Sequence, residues 1–344
     1  MKARWLLPEI DPREAESLGA ALGVHPPAAR VLLRRGYRDP SDARRFLRPS
    51  LDDLHDPFLL KDMRAAAERL RRAVHGREHV LLYGDYDADG TTAIVILKKA
   101  IEMAGGRASF HVPHRIRDGY GMRPEVVERA AAEGVRLVIS VDTGIRAAAV
   151  VERARELGID VIVTDHHLPE AELPPALAVL NPNRPDCEYP EKNLCGAGVA
   201  FKLAQALLSL FGWTAGRQRR VAESFLKLVA IGTVADVVPL TGENRVFVKH
   251  GLAGLRSVRN PGLRELLRVA GFQEGDTPSA GQIAFRVAPR INAAGRSCSA
   301  WILRRVLLTV PGAAFGSSIC SRRSSRWRIC SRASAATATQ PESS

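Results

Sequence analysis

The fold is decided by residues 79–90, whose sequence is HVLLYGDYDADG. An apolar run of the length of a buried strand comes first, and Asp85, Asp87 and Asp89 then follow at alternate positions. Alternate residues of an extended chain point to the same side, so we expect three carboxylates on one side of the backbone. Like charges this close repel one another, and a divalent cation is the simplest counter-charge. The stretch therefore predicts a strand that ends in a metal site.

Similar apolar runs recur along the chain, separated by amphipathic segments. Predicted strands cover 79–84, 108–112, 136–141, 159–163 and 176–180, and predicted helices cover 91–104, 124–133, 146–157, 199–211 and 220–234. Strands that are apolar throughout are typical of a parallel sheet covered by helices on both faces. The predicted fold class is α/β, a doubly wound and mainly parallel sheet.

The 344 residues divide into four predicted regions. Residues 1–75 form a helical lead-in, 76–240 an α/β catalytic domain, and 241–296 the start of a following region with a basic loop at 286–296. Residues 297–344 hold eleven Ser and three of the five Cys, without Asp, Lys or a helix or strand period. We expect this last region to be a disordered tail, either low-complexity chain or the product of a shifted reading frame.

Composition is that of a globular protein, with 46% hydrophobic and 25% charged residues. No apolar run reaches the ~18 residues that a membrane helix needs, and Pro8, Glu9 and Asp11 interrupt the basic, apolar start. We therefore expect a cytoplasmic monomer without a membrane partner. The odd number of cysteines fits a reducing compartment.

The net charge of +13 is unevenly distributed. Residues 297–344 contribute +6, while the first 296 residues hold 43 basic and 36 acidic side chains. A basic excess favours a polyanionic partner such as nucleic acid, although GC-rich coding also produces many arginines.

Two more polar clusters follow predicted strands. Asp142 comes after the third strand, and Asp165, His166 and His167 come after the fourth. Ligands of open α/β sheets bind at the carboxyl ends of strands, where all these groups would meet. Asp142 could instead cap the next helix. Asp165 offers a further carboxylate, and of the two histidines one can bind a metal while the other donates to a phosphate.

Asp236 lies in an apolar stretch, GTVADVVPL at 232–240. A buried carboxylate needs a helix cap, an arginine or a metal, and the sequence leaves these three open. Oxygen-rich sites with imidazole favour Mn²⁺ or Mg²⁺, and none of the cysteines lies in these motifs. Two such ions about 4 Å apart can activate water for phosphodiester hydrolysis.

In this order, the motifs resemble the DHH phosphoesterase superfamily, and most closely its exonucleases specific for single-stranded DNA. The stretches that carry the resemblance are YGDYDADGTTA (83–93), SVDTGI (140–145), VTDHH (163–167), CGAGVAFKL (195–203), GTVADVVPL (232–240) and APRINAAGR (288–296). The resemblance implies a metal-dependent 5′→3′ exonuclease that acts on single-stranded DNA in repair and recombination, where repair or recombination proteins are possible partners.

The resemblance also implies roles for individual residues. Two Mn²⁺ or Mg²⁺ ions would be held by Asp85, Asp87, Asp89, Asp142, His166 and Asp236. Catalysis would involve Asp87, Asp142 as a bridge between the ions, and His167 at the scissile phosphate. Nucleic-acid contacts would come from Arg115, Arg290 and Arg296 and from the backbone at Gly196 and Gly198, unless those glycines only form a tight turn.

Two other functions stay open. One is a phosphodiesterase for short oligonucleotides or cyclic dinucleotides, although such relatives open with a His-containing motif where Tyr83 and Asp85 stand here. The other is a non-catalytic DNA-binding relative, although such proteins tend to lose metal ligands. The resembling exonucleases continue into a second core domain and an oligonucleotide-binding barrel, which nothing after Arg296 resembles. We therefore expect a complete metal site on a truncated or frame-shifted chain with an incomplete DNA path.

Overall fold

The computed structural model describes residues 9–114, 119 and 121–294. The predicted phosphate contacts Arg115 and Arg296 lie outside the described residues, and so does the predicted tail at 297–344. All the predicted metal ligands lie within them.

The centre of the fold is a sheet of five parallel strands. They are β1 (His79–Gly84), β2 (Arg107–His111), β3 (Leu137–Val141), β4 (Asp160–Thr164) and β5 (Ala178–Leu180). Their order across the sheet is β2-β1-β3-β4-β5. The chain runs from β1 outward to β2 and returns on the other side of β1 to form β3, so the topological switch point lies between β1 and β3. The doubly wound parallel sheet is confirmed.

Helices surround the sheet. Three of them precede it as a small unit: α1 (Pro12–Leu22), α2 (Pro26–Arg34) and α3 (Pro40–Leu47). The others are α4 (Met63–His75), α5 (Ala88–Met103), α6 (Pro124–Ala132), α7 (Ala148–Glu156), α8 (Gly196–Ser209), α9 (Ala215–Ala235), α10 (Gly242–Gly254), α11 (Pro261–Val269) and α12 (residues 280–294). Within α12, Ile283–Val287 form a π-helical turn.

Each face of the sheet has its own core. In β1, Val80 and Leu82 enter a large core shared with α4, α5, α8 and α9, whereas Leu81 and Tyr83 enter a smaller core shared with α6 and α7. This alternation follows from the period of two in a strand, and burial on both faces explains why every residue of β1 after His79 could be apolar. Helix α10 and helix α12 extend the larger core.

Several helices begin earlier than the sequence predicts. Helix α5 begins at Ala88 because the Asp87 carboxylate accepts the Gly90 N–H at 2.9 Å and caps the helix. Helix α8 begins at Gly196 and α9 at Ala215. The predicted basic loop at 286–296 is wrong, since the chain is helical as far as residue 294. In the described part of the chain, no helix has the length and apolarity to cross a membrane.

Candidate metal centre

Strand register brings the predicted clusters together. The pairing joins Gly84 to Val141 and Val141 to Thr164, so β1, β3 and β4 end level with one another. In each strand the next residue is an aspartate, and these are Asp85, Asp142 and Asp165. Backbone bonds continue the ladder beyond the strands at all three aspartates. They run from Asp85 N to the Val141 carbonyl at 3.3 Å, from Asp142 N to the Thr164 carbonyl at 2.9 Å, and from Asp165 N to the Leu180 carbonyl at 3.0 Å. The polar residues therefore meet at the topological switch point.

The possible ligand atoms form three overlapping groups, and the atoms of each group lie within 4.8 Å of one another. The groups are Asp85, Asp87 and Asp142; Asp89, His166 and Asp236; and Asp142, His166 and His167. All six residues predicted as ligands occur in these groups. Asp142 and His166 each belong to two groups, so the three groups join into one candidate site.

Asp142 and His166 lie at the middle of this site. Asp142 Oδ1 and His166 Nε2 are 3.1 Å apart, and both are buried atoms without a hydrogen-bond partner among the described residues. Burial lowers the pKa of His166, which favours the neutral imidazole, the form that can bind a metal. Buried polar atoms normally have partners. A cation between these two atoms would supply both with one, and so the residues fit a metal ion.

Burial and like charge both act on three carboxylates of the site. Burial and the neighbouring carboxylates Asp89 and Asp87 raise the pKa of Asp142 well above its usual range. Burial, followed by the charge of Asp87, raises the pKa of Asp89 to about 7, and burial with the charge of Asp89 raises the pKa of Asp236 to about 6. Bound divalent cations reverse such shifts because they favour the ionised carboxylates.

The conformation of Asp142 is unusual. Its φ of 58° lies in the left-handed region, which is costly for a residue other than glycine and is commonly found at functional sites. Gly196 packs directly against it, because a Cβ at Gly196 would lie 2.6 Å from Asp142 Oδ1. The close approach of α8 to Asp142 therefore requires glycine at this position.

Asp89 is held by the first turn of α8. Its carboxylate oxygens accept the N–H groups of Gly196 at 2.6 Å and Ala197 at 2.9 Å. A helix N-terminus offers unpaired N–H groups and a favourable dipole to an anion, so α8 fixes the side chain of Asp89. Helix α9 also approaches closely, since a Cβ at Gly232 would lie 2.7 Å from Asp89 Oδ1.

Asp236 directly follows the last residue of α9 and lies half-buried, 3.7 Å from His166 Nε2 through Oδ2. The sequence leaves a helix cap, an arginine or a metal open as the partner of Asp236. Among the described residues, Asp236 has no arginine partner. It is the C-terminal cap of α9 by position, and it also belongs to a candidate ligand group.

The conformation of the Asp85–Asp89 segment differs from the prediction. Asp85 follows β1 directly, Asp87 caps α5, and Asp89 lies in the first turn of α5. The three carboxylates are thus not on one side of an extended chain. They reach the site because the chain turns from strand to helix, and the alternation in the sequence is not the cause.

Asp165 is held by four hydrogen bonds at the end of β4. Oδ1 accepts the N–H groups of His166 at 2.8 Å and His167 at 3.1 Å and lies 2.7 Å from His167 Nδ1, while Oδ2 accepts the Ile145 N–H at 2.9 Å. Burial alone would raise the pKa of Asp165, but the hydrogen bond from His167 and these amides lower it. The carboxylate has its partners and belongs to no candidate ligand group, so it positions its neighbours.

The bond with Asp165 orients His167. It raises the pKa of His167, against the effect of partial burial, and stabilises the protonated imidazole. With Nδ1 engaged, the ring presents Nε2 to its surroundings, and its side chain is 42% exposed. This position suits a donor to a phosphate oxygen, and membership of a group with Asp142 and His166 also allows ligation.

Three asparagines support the site, and sequence reasoning missed them. Asn181 Nδ2 donates to the His167 carbonyl at 2.8 Å, and Asn183 Nδ2 donates to the His166 carbonyl at 2.6 Å. Asn292 Oδ1 accepts the N–H of Ala88 at 2.7 Å and so ties α12 to the start of α5. The available signal was weak, since Asn181 and Asn183 lie in a Pro/Asn-rich loop and Asn292 in the APRINAAGR stretch.

The predicted nucleic-acid contacts have less support. Arg290 is exposed on α12, where it donates to the Arg286 carbonyl, so it is available to a ligand. Gly196 and Gly198 are buried in the first turn of α8, and Gly196 is accounted for by its contact with Asp142. Their burial is against a contact with DNA, and the predicted turn is the start of a helix.

Comparisons with known proteins find a matching family and several relatives. Residues 79–233 match the family described as "DHH family, N-terminal domain". The chain therefore carries a domain of the DHH family. The whole chain is 40% identical over 297 residues to the single-stranded-DNA-specific exonuclease RecJ of Bacillus subtilis (strain 168), an alignment that covers 86% of this chain and 36% of the relative.

The chain is also similar to solved structures of RecJ. The structure of RecJ from Thermus thermophilus in complex with Mn²⁺ has a TM-score of 0.74 and 37% identity, covering 89% of this chain and 42% of that one. The complex of RecJ from the same organism with Mg²⁺ has a TM-score of 0.64 and 33% identity, covering 89% of this chain and 39% of that one. This chain thus spans less than half the length of these relatives.

Proposed function

We propose that the chain carries the metal centre of an exonuclease that hydrolyses phosphodiester bonds of single-stranded DNA in the 5′→3′ direction, in DNA repair and recombination. The observation that carries the proposal is the unpartnered pair of Asp142 Oδ1 and His166 Nε2, 3.1 Å apart and buried among five further candidate ligands. Similarity to RecJ proteins over most of the chain supports the choice of substrate.

Two Mn²⁺ or Mg²⁺ ions would be held by Asp85, Asp87, Asp89, Asp142, His166 and Asp236. When bound, such ions activate water and neutralise the charge of an in-line phosphoryl transfer. The side chains supply the rest. Asp165 holds the imidazole of His167 through Nδ1, so that Nε2 can donate to an oxygen of the scissile phosphate. The first turn of α8 holds Asp89 in place through two amides.

Three finer points belong to the proposal. The protein would act as a monomer in the cytoplasm, single-stranded DNA would be its principal partner, and repair or recombination proteins would be further ones. The basic charge of the first 296 residues supports a polyanionic partner. Arg290, which is exposed on α12 two residues before Asn292, would hold a substrate phosphate.

The test is a cleavage assay with Mn²⁺ and DNA labelled at either the 5′ or the 3′ end. Single strands, duplexes and dinucleotides are compared, and Asp142→Ala is set beside Asp276→Ala, which changes an exposed aspartate outside the site. Mononucleotides released only from the 5′ end of single strands, by wild type and Asp276→Ala but not by Asp142→Ala, are the expected result.

Other outcomes would favour the alternatives. Cleavage confined to the dinucleotide would indicate a phosphodiesterase for short substrates. DNA binding without cleavage, unchanged by Asp142→Ala, would indicate a non-catalytic relative. An Asp142→Ala protein as active as wild type would overturn the metal centre itself.

A further inference from the structure

A groove of about 280 Å³ lies between the end of α3 and helix α10. Apolar side chains make up much of its lining, with Leu47 on α3, Val248 on α10, and Leu240 and Ala280 from the segments that precede α10 and begin α12. Leu47 is 40% exposed, which is unusual for a large apolar side chain. The cationic residues Arg245 and Lys249 complete the lining.

These two cations are fixed in place without being neutralised. The Arg245 guanidinium stacks 3.8 Å from the centre of the Phe46 ring and donates to the Phe46 carbonyl. Lys249 Nζ donates to the Pro49 carbonyl at 2.7 Å. Among the described residues, neither side chain has a carboxylate within the 4.0 Å of an ion pair. Their positive charges are therefore available to a ligand.

The surroundings add further positive charge. Residues 26–50 hold seven arginines and only two acidic residues, Asp39 and Asp42. Arg35 and Arg48 are exposed and, within the described chain, form no ion pair. Burial and the nearby charge of Arg35 lower the pKa of Arg245, although Tyr37 acts in the opposite direction. Cations close enough to repel one another are stabilised by an anion placed between them.

The walls of the groove also belong to segments that build the metal centre. Leu240 is four residues beyond Asp236. Ala280 begins α12, whose Asn292 accepts the N–H of Ala88 beside Asp87. Two residues of the lining thus belong to segments that continue along the chain to the metal centre.

We propose that this groove binds the phosphate backbone of single-stranded DNA outside the metal centre. Phosphates would lie against Arg35, Arg245 and Lys249, and the apolar lining would contact sugars and bases. Unpaired bases expose the apolar surface that suits such a lining, whereas a duplex presents mainly its phosphates. The inference rests on the proposed function, because it extends the path of the same substrate.

Binding of fluorescein-labelled dT20 is measured by anisotropy in EDTA, over a series of NaCl concentrations. The test variant is Arg35→Glu/Lys249→Glu, and the control with the same change of charge is Arg107→Glu/Arg129→Glu, two exposed arginines on β2 and α6. Loss of two phosphate contacts should weaken binding about tenfold or more at low salt and reduce the slope of log K against log[NaCl] by about 1.4. The control should retain the wild-type slope. Arg35→Gln/Lys249→Gln provides a milder variant if the first fails to fold.

Each of the other outcomes is informative. Test variants that bind dT20 with the affinity and the salt dependence of the control would overturn the proposal that the groove binds DNA. Mn²⁺-dependent cleavage by the wild-type protein would in that case still support the proposed function. Wild-type protein that neither bound nor cleaved dT20 would overturn both. The assignment to single-stranded DNA would be overturned if the test variant lost more affinity for a 20-base-pair duplex than for dT20. It would also be overturned if equimolar poly-glutamate displaced dT20 from the wild-type protein.

Discussion

The cluster around Lys202 and the metal centre both bury charged side chains, and they differ in how those charges are balanced. At one, Lys202 Nζ lies 2.5 Å from Glu243 Oε1, while the other carboxylate oxygen of Glu243 accepts the Tyr189 hydroxyl at 2.6 Å. The backbone of His55 bonds to both side chains, because its N–H donates to Glu243 Oε1 and its carbonyl accepts from Lys202 Nζ. Every charge there has an opposite charge and further hydrogen bonds, so the cluster is structurally complete.

At the metal centre the charges are mostly of one sign. Buried carboxylates meet a neutral imidazole, and Asp142 Oδ1 and His166 Nε2 have no partners among the described residues. The difference separates a structural charge cluster from one that requires a ligand. Removing a charge should harm the first cluster, whereas in the metal-free protein it should relieve repulsion at the second.

The largest expected effect is on activity at the metal centre. Asp142→Asn keeps the size of the side chain but removes the charge shared by two ligand groups. We expect a loss of about 10⁴-fold in kcat/KM for single-stranded DNA, equivalent to about 5.4 kcal/mol. In EDTA the same variant should unfold at a temperature equal to or above that of wild type, because a carboxylate is removed from among others. A variant that was destabilised in EDTA would show that Asp142 has a structural rather than a ligand role.

The second effect concerns the complete cluster. Lys202→Met should reduce the free energy of unfolding by about 3–5 kcal/mol, because it leaves Glu243 buried without its cation. Urea denaturation measures this loss. The double variant Lys202→Met/Glu243→Gln removes both charges and should recover a large part of it. Equal stabilities of the single and double variants would mean that the ion pair is not what holds α8 to α10.

The third effect is stabilisation by metal. Mn²⁺ at 100 times its dissociation constant should raise the free energy of unfolding by about 2.7 kcal/mol, because it binds the folded state. Thermal denaturation with and without Mn²⁺ gives the shift. Asp142→Asn should lose most of this shift, and Lys202→Met should keep it despite its lower stability. A shift retained in full by Asp142→Asn would place the bound ion elsewhere.

The sequence was informative where function depends on local pattern. The apolar runs predict all five strands to within two residues, and the rule that ligands bind at strand ends predicts that Asp142 and His166 lie at one edge of the sheet. The first residues of the helices are harder to predict from the sequence. Helix α5 is capped by Asp87, and the sequence predicts only a role in the metal site for this residue. Contacts between segments that are distant in the sequence could not be predicted from it. The bond between Ala88 and Asn292 joins residues 204 positions apart, and no periodicity records such a pairing.

That long-range bond provides the smallest of the predicted effects. Asn292→Ala removes the acceptor of the Ala88 N–H, beside the Asp87 cap, without touching any candidate ligand. We expect kcat/KM to fall about tenfold, equivalent to about 1.4 kcal/mol, because a hydrogen bond of this strength positions the start of α5. Asn292→Asp keeps an acceptor oxygen. It should therefore recover the wild-type apparent affinity for Mn²⁺, measured from the Mn²⁺-induced shift in thermal denaturation. An Asn292→Ala protein with wild-type Mn²⁺ affinity and wild-type kcat/KM would mean that α12 only covers the core, and that the Asp87 cap alone sets the geometry of the Asp85–Asp89 segment.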